Sequence, residues 1–277
     1  MSSLFDIKDL IIKCINKDNY ERNNLKIIRL MDNMNDEERK QLFEWALMKY
    51  NDNQAGYYAA VIAKYYKDDK TEQHEWYRKG ADTEDPTSMA FFGKYCSSLI
   101  ERIIWLKKAA EAGSAIAYYE LGELCLHKGD VLDGIQWYKK AAELGNCDAM
   151  LDLGCLYIDG RESDEIKKDY EEARKWLELA SDADATHEFL FLIGHTYREE
   201  KKYIEALDYY VKALDKYNPK SIPDDETRQA YSKAIDTLVK DHSLEIARSI
   251  LSLHDKVKKL EQEIQIIKEE DICSVTI

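Results

Sequence analysis

The side chains best suited to chemistry in this 277-residue chain are its six His, its six Cys and its 54 carboxylates. Their spacing forms no catalytic set. His74-Glu75 and His187-Glu188 open like the zinc-protease pair, but Trp-Tyr and Phe-Leu follow them, and the second His one turn later is missing. His187 and His195, eight apart, share a helical face on which no carboxylate or Cys completes a metal set. Cys147 and Cys155 are also eight apart, without the short spacing of a zinc knuckle. Neither phosphate-cradling glycine pattern, GxxxxGK[ST] or GxGxxG, occurs, and there is no GxSxG elbow. The expectation is a protein that is not an enzyme and has no cofactor or metal.

A chain without such a set acts through its surfaces, so the next question is what elements carry them. Pro occurs 3 times and Gly 11 times, which disfavours turn-rich β folds and favours an all-α chain. The net charge is −14. Residues 1–50 are neutral, 220–277 carry −3, and 51–219 carry −11. A surface of that sign repels phosphate backbones, so no nucleic-acid partner is expected. No run of 18 apolar residues exists, so no membrane span is expected. Asp6 and Asp9 stand where a secretory leader would be basic and then apolar. The cysteines lack CxxC pairs, which suggests a reducing, intracellular and cytoplasmic setting.

The tryptophans give the organisation. They stand at 45, 76, 105, 137 and 176, separated by 31, 29, 32 and 39 residues, and Tyr209-Tyr210 follows at the next step. Trp105-Leu-Lys-Lys-Ala-Ala and Trp137-Tyr-Lys-Lys-Ala-Ala align without gaps, as do the strings at Trp76, Trp176 and Tyr209. A small residue precedes each in phase: Ala63, Gly93, Gly122, Gly154 and Gly194. Two helices account for this pattern. The first is small where its partner crosses, and the second presents a large aromatic followed one turn later by alanine. One such pair cannot bury its own apolar face, whereas stacked copies can, which predicts a right-handed superhelical solenoid of antiparallel helix pairs. In this reading the Trp and Gly residues are packing residues, and truncating one Trp to Ala costs about 3–5 kcal/mol.

Ala117-Tyr-Tyr-Glu-Leu-Gly-Glu-Leu-Cys125 followed by Trp137-Tyr-Lys-Lys-Ala-Ala-Glu-Leu-Gly145 resembles the Sel-1-like repeat, a relative of the tetratricopeptide repeat. Ala149-Met-Leu-Asp-Leu-Gly-Cys-Leu-Tyr-Ile-Asp-Gly160, a charged loop, and Asp169-Tyr-Glu-Glu-Ala-Arg-Lys-Trp176 resemble it again. Thr186 to Pro219 is closer to the tetratricopeptide repeat, with Gly194, Tyr197, Ala206, Tyr210 and Ala213 at its small and aromatic positions. The cysteine-rich branch of the family pairs Cys at two positions occupied here by Ala142 and Leu151, which fits reduced thiols. The organisation expected is an N-terminal helical region, 1–50, that serves as a cap. About five repeats follow over 51–219, and C-terminal helices occupy 220–277.

The resemblance implies a concave groove lined by the first helices, which in relatives holds a peptide or a partner helix. Counted from the small residue, the row one position on is Lys64, Lys94, Glu123, Cys155 and His195. The row three positions before it is Ala60, Ala90, Tyr119, Leu151 and Phe191. The groove is therefore expected to be basic at its N-terminal end, acidic in the middle and apolar at its end. Tyr119, Leu151 and Phe191 are the expected anchors, joined in partner binding by Glu123, Asp152 and His195; the alternative left open is that the three large residues pack against the neighbouring unit or the C-terminal helix. The expected function is a protein–protein interaction module, an adaptor or scaffold that binds a protein or peptide partner.

A different period ends the chain. Ile246, Ile250, Leu253, Val257, Leu260, Ile264 and Ile267 form a heptad segment, 246–267. Ile250, Val257 and Ile264 fall at position a, with Leu253 and Leu260 at d, and Lys256–Glu261 and Glu263–Lys268 are the attractive flanking pairs of a parallel coiled-coil dimer. The alternatives left open are a homodimer through 246–267 and a single helix capping the last repeat. The alternative function is a regulatory subunit that works through its N-terminal region or through this coiled coil.

Overall fold

The structure, a computed structural model, describes residues 7–9, 11, 12, 27, 30, 31, 34–53, 55–160, 166–183, 187–216 and 226–247. The fold is all-α. The chain divides into two compact units, residues 1–167 and 168–277. The division falls beside the charged loop that lengthens the fourth tryptophan interval. Most of the heptad segment, from residue 248 onwards, lies outside the described residues.

The first unit contains α1 (Asp36–Asn53), α2 (Gly56–Tyr65), α3 (Lys70–Ala81), α4 (Pro86–Tyr95), α5 (Leu99–Glu111), α6 (Ala115–Lys128), α7 (Val131–Glu143) and α8 (Cys147–Asp159). Successive helices pack on one another, and α2–α3, α4–α5 and α6–α7 are the helix pairs. The joints between repeats share one chemistry. Gly113 and Gly145 adopt φ +90° and +92°, a left-handed geometry that a side chain would strain. Their amides close the preceding helix on Ala110 and Ala142. The next residue caps the following helix: Ser114 Oγ accepts from the Ala117 amide, and Asn146 Oδ1 accepts from the Ala149 amide at 2.8 Å. Each joint thus ends one helix and starts the next within three residues.

Ile7, Ile11, Ile27 and Met31 are buried in one apolar cluster with Leu42 and Ala46 of α1 and Tyr57, Tyr58, Val61 and Ile62 of α2. The N-terminal region thus shares its core with the first helix pair.

The second unit contains α9 (Tyr170–Ala183), α10 (His187–Glu199), α11 (Tyr203–Lys216) and α12, helical over 226–247. α9, α10 and α11 pack in sequence. Leu238 of α12 is buried with Ala206 and Tyr210 of α11, and His242 stacks on Tyr203 at 3.9 Å. The C-terminal helix therefore lies over the last pair.

The large-against-small packing has a finer division of labour than the sequence predicts. The ring that fills the notch at the small residue belongs to the residue after the tryptophan. Tyr77, Tyr138 and Tyr210 are 1%, 2% and 0% exposed. Tyr138 crowds Gly122 and Tyr210 crowds Gly194. The indoles of Trp45, Trp76, Trp105 and Trp137 are only half-buried. They pack against aromatic neighbours, Trp105 edge-on to Phe92 and Trp137 stacked on Tyr118. Their outer faces carry lysines one turn on: Lys79 lies 4.0 Å from the Trp76 ring centre, Lys108 4.8 Å from Trp105, and Lys140 4.7 Å from Trp137. The aligned Trp-x-x-Lys string is thus a repeated cation–π contact on the rim of each pair.

Candidate partner-binding face

Polar side chains tie the first helices α4, α6 and α8 one to the next. Lys94 Nζ of α4 lies 2.5 Å from Glu120 Oε1 of α6. Tyr119 Oη of α6 donates to Asp152 Oδ2 of α8 at 3.0 Å. The Tyr119 ring stacks on Tyr138 of α7, centroids 5.3 Å apart and planes 13° apart. Tyr138 Oη in turn donates to Glu123 Oε1. Tyr119, Tyr138, Glu123 and Asp152 therefore form one cluster, two hydrogen bonds joined by a ring stack, and half-buried Leu151 adjoins Asp152 on α8.

The cluster is acidic. Burial, together with Glu123 and Asp148 nearby, raises the Asp152 carboxyl above its ordinary pKa against the opposing pull of the Tyr119 hydrogen bond. Burial raises both phenols, with the Asp152 charge and bond adding at Tyr119 and the Glu123 bond at Tyr138. Burial, with Asp152 and Asp159, pushes the Cys155 thiol up to about 11, so this thiol is not an activated nucleophile. For Lys94, burial opposes the charged form, but the Glu120 bond outweighs it and the ammonium is held. The arrangement presents aromatic and aliphatic surface beside carboxylates, which suits binding a chain segment.

Phe191 and His195 belong to the second unit, on α10. The Phe191 ring is half-buried, stacked on Tyr231 of α12 at 4.4 Å and tilted against Tyr210 at 5.0 Å. His195 Nε2 lies 2.8 Å from an Arg198 terminal nitrogen. Sequence reasoning missed two participants, Tyr138 and Tyr231; it set Glu120 two positions before the small residue in the groove, without its bond to Lys94. Tyr138 was legible as the residue after a tryptophan; Tyr231 lies outside the repeat and carries no phased signal. Among the described residues no group of three or more His, Cys, Asp or Glu is placed to hold a metal ion. No described helix is long and apolar enough to cross a membrane.

Stacked helix pairs with small-residue notches and capped joints define the class of helix-pair repeat proteins. Within it, the Sel1 repeat matches residues 103–114, 115–146 and 147–184, and a tetratricopeptide repeat matches 187–215. Residues 103–184 thus carry Sel1 repeats and residues 187–215 a tetratricopeptide repeat. No curated protein matches its sequence. Among solved structures, it resembles a Sel1 repeat protein from Oxalobacter formigenes, with TM-score 0.54 and 22% identity over 73% of this chain and 99% of that one. It also resembles c5321, a protective antigen of uropathogenic Escherichia coli strains with the same fold, at TM-score 0.54 and 18% identity over 86% of this chain and 57% of that one. The Cut9-Hcn1 structure matches at TM-score 0.51 and 14% identity over 81% of this chain and 48% of that one. These likenesses establish the fold.

Proposed function

We propose that this protein is an interaction module, an adaptor or scaffold that holds a partner peptide or helix against the row of first helices α4, α6 and α8. The observation that carries the reading is a change of size along one row. Ala60 and Ala90 are buried and small, whereas the next two positions are Tyr119 and Leu151, half-buried and flanked by Glu123 and Asp152. Large anchors with partly open faces beside charged groups are the usual composition of a recognition surface. The free thiols of Cys96, Cys125 and Cys155 support a reducing, cytoplasmic setting.

The test is affinity capture with mass spectrometry, comparing the wild type with Tyr119→Ser/Leu151→Ser. The double variant is expected to keep its helical circular dichroism and to lose the captured partner. A partner retained unchanged on the folded variant refutes the role of this row. Phe191 needs a separate variant, because its ring also packs α12 onto α10 and α11.

A further inference from the structure

The N-terminal end of the first unit carries a cleft whose charged lining side chains are all basic. Arg39 of α1, Lys64 of α2, Lys67 of the following turn and Lys70 at the start of α3 border one cleft of about 200 Å³, with Phe91 and Tyr95 of α4 among its walls. No carboxylate is among the described residues that line it. The cations are set in place by their surroundings. Arg39 donates to the Met34 carbonyl at 2.7 Å and to Asp36 at 3.2 Å. Lys70 Nζ donates to Gln73 Oε1 at 3.2 Å and lies 5.9 Å from the Tyr95 ring centre. Asp69, next in the chain, spends a carboxylate oxygen on the Thr71 and Glu72 amides and caps α3 with it.

We propose that this cleft binds a short acidic segment of a partner protein, its Asp or Glu carboxylates meeting Arg39, Lys67 and Lys70. A concavity lined by one sign of charge and walled by aromatic rings concentrates its field and draws in the opposite charge. The chain as a whole carries −14, so the attraction is local. That locality selects the ligand. A long polyanion such as nucleic acid runs out of the cleft onto a chain whose following repeats are acidic, with Glu120, Glu123, Asp148 and Asp152 around Tyr119. A segment with a few carboxylates meets only the basic part. The inference deepens the interaction-module reading and rests on it for the partner's being a protein, but it uses different residues from Tyr119 and Leu151.

The experiment is fluorescence anisotropy of a labelled Glu-rich peptide of about ten residues on the full chain, at about 0.05 M salt, where exposed charges are weakly screened. Its Gln counterpart is expected not to bind. Lys67→Ala/Lys70→Ala is expected to weaken the Glu peptide about tenfold, while Lys107→Ala/Lys128→Ala, an equal loss of charge from exposed sites on α5 and α6, changes it less than about twofold. Equal weakening by both double variants, or no binding to the wild type, overturns the proposal. A single-stranded oligonucleotide that displaces the peptide more effectively than unlabelled peptide does also overturns it. Tyr119→Ser/Leu151→Ser is expected to bind the Glu peptide as the wild type does. A wild type that ignores the peptide yet captures its partner through Tyr119 and Leu151 removes this cleft alone. Peptide binding with capture indifferent to Tyr119 and Leu151 removes the row alone.

Discussion

Replacing Gly122 by Ala separates helix propensity from packing, because the two oppose each other. In a helix interior the change favours folding by about 1 kcal/mol. In this structure the added methyl would stand 2.5 Å from Tyr138 Cδ1, 2.7 Å from its Cε1 and 3.2 Å from the Gly134 carbonyl oxygen. Carbon atoms prefer about 3.5–4.0 Å, so the ring must move by about 1 Å. It has little room to do so, since Tyr119 stacks on it and its hydroxyl is bonded to Glu123. Overpacking of a filled core costs about 1–3 kcal/mol, and a pinned ring belongs at the upper end. The net expectation is a loss of about 2 kcal/mol, which corresponds to about a 30-fold rise in the local opening constant. Gly134→Ala provides the contrast. Its methyl meets Leu126 Cδ1 at 2.7 Å, the far end of a flexible side chain, so its loss is expected to be smaller.

Native-state amide exchange read by mass spectrometry is the appropriate assay, because units in a repeat array open locally before the chain unfolds. Peptides from α6 and α7 should exchange faster in Gly122→Ala, while α10 and α11 serve as the internal reference. Unchanged or slower exchange in α6 and α7 would refute the reasoning. The α2–α3 pair shows what that outcome would mean. Ala63 occupies the same position there and packs against Tyr77, so a pair can settle around a methyl when its sequence is built for one.

Two further outcomes follow from the same geometry. Tyr138→Ala should cost about 3–5 kcal/mol and Trp137→Ala clearly less, because the tyrosine fills the notch while the indole is half-exposed; urea denaturation of the two variants checks the order. Asp152→Asn keeps an oxygen acceptor for Tyr119 and removes a charge whose folded pKa is raised, chiefly by burial. The ionised carboxylate costs stability at pH above its folded pKa, so the variant should be the more stable at neutral pH. That advantage should fade as pH falls through the raised pKa and vanish below the ordinary carboxylate range. Urea midpoints measured between about pH 3 and 7 test the trend, and a variant less stable than the wild type at neutral pH overturns it.

The repeat was legible because tryptophan is rare and its intervals are nearly equal. That signal locates the helix pairs without saying which side chain fills their centre. Adjacent residues on a helix point about 100° apart, so Trp137 and Tyr138 cannot do the same job. Tyr138 faces the partner helix and Trp137 turns to the rim, where Lys140 covers it. Counting from the small residue named Tyr119, Glu123 and Asp152, which the structure brings into one cluster. It could not reveal the Tyr119–Asp152 bond or the Lys94–Glu120 bond, since each joins different repeats and depends on how far one pair is rotated against the next. The basic cleft was visible only in part: Lys64 stood in the row, but Arg39, Lys67 and Lys70 come from a helix outside the repeats and from a turn and a helix start.

Helix α12 covers the α10–α11 pair, while most of the heptad segment that follows it lies outside the described residues. A terminal pair has an apolar face with no following repeat to cover it. In this chain Tyr231 and Leu238 of α12 lie on α10 and α11, and Ile246, eight residues on, is also buried. Steps of seven and eight keep one face of a helix within a broad stripe, the pattern of a helix packed on a globular surface rather than the fixed seam of a coiled coil. From Tyr231 to Ile246 this stripe covers the last pair. His187 belongs to the same cover, its Nδ1 lying 2.9 Å from the Tyr231 hydroxyl in a buried contact. Phe191 follows from this as well: a large residue at a groove position in the last repeat meets the capping helix, so its size reflects the end of the array as much as any partner.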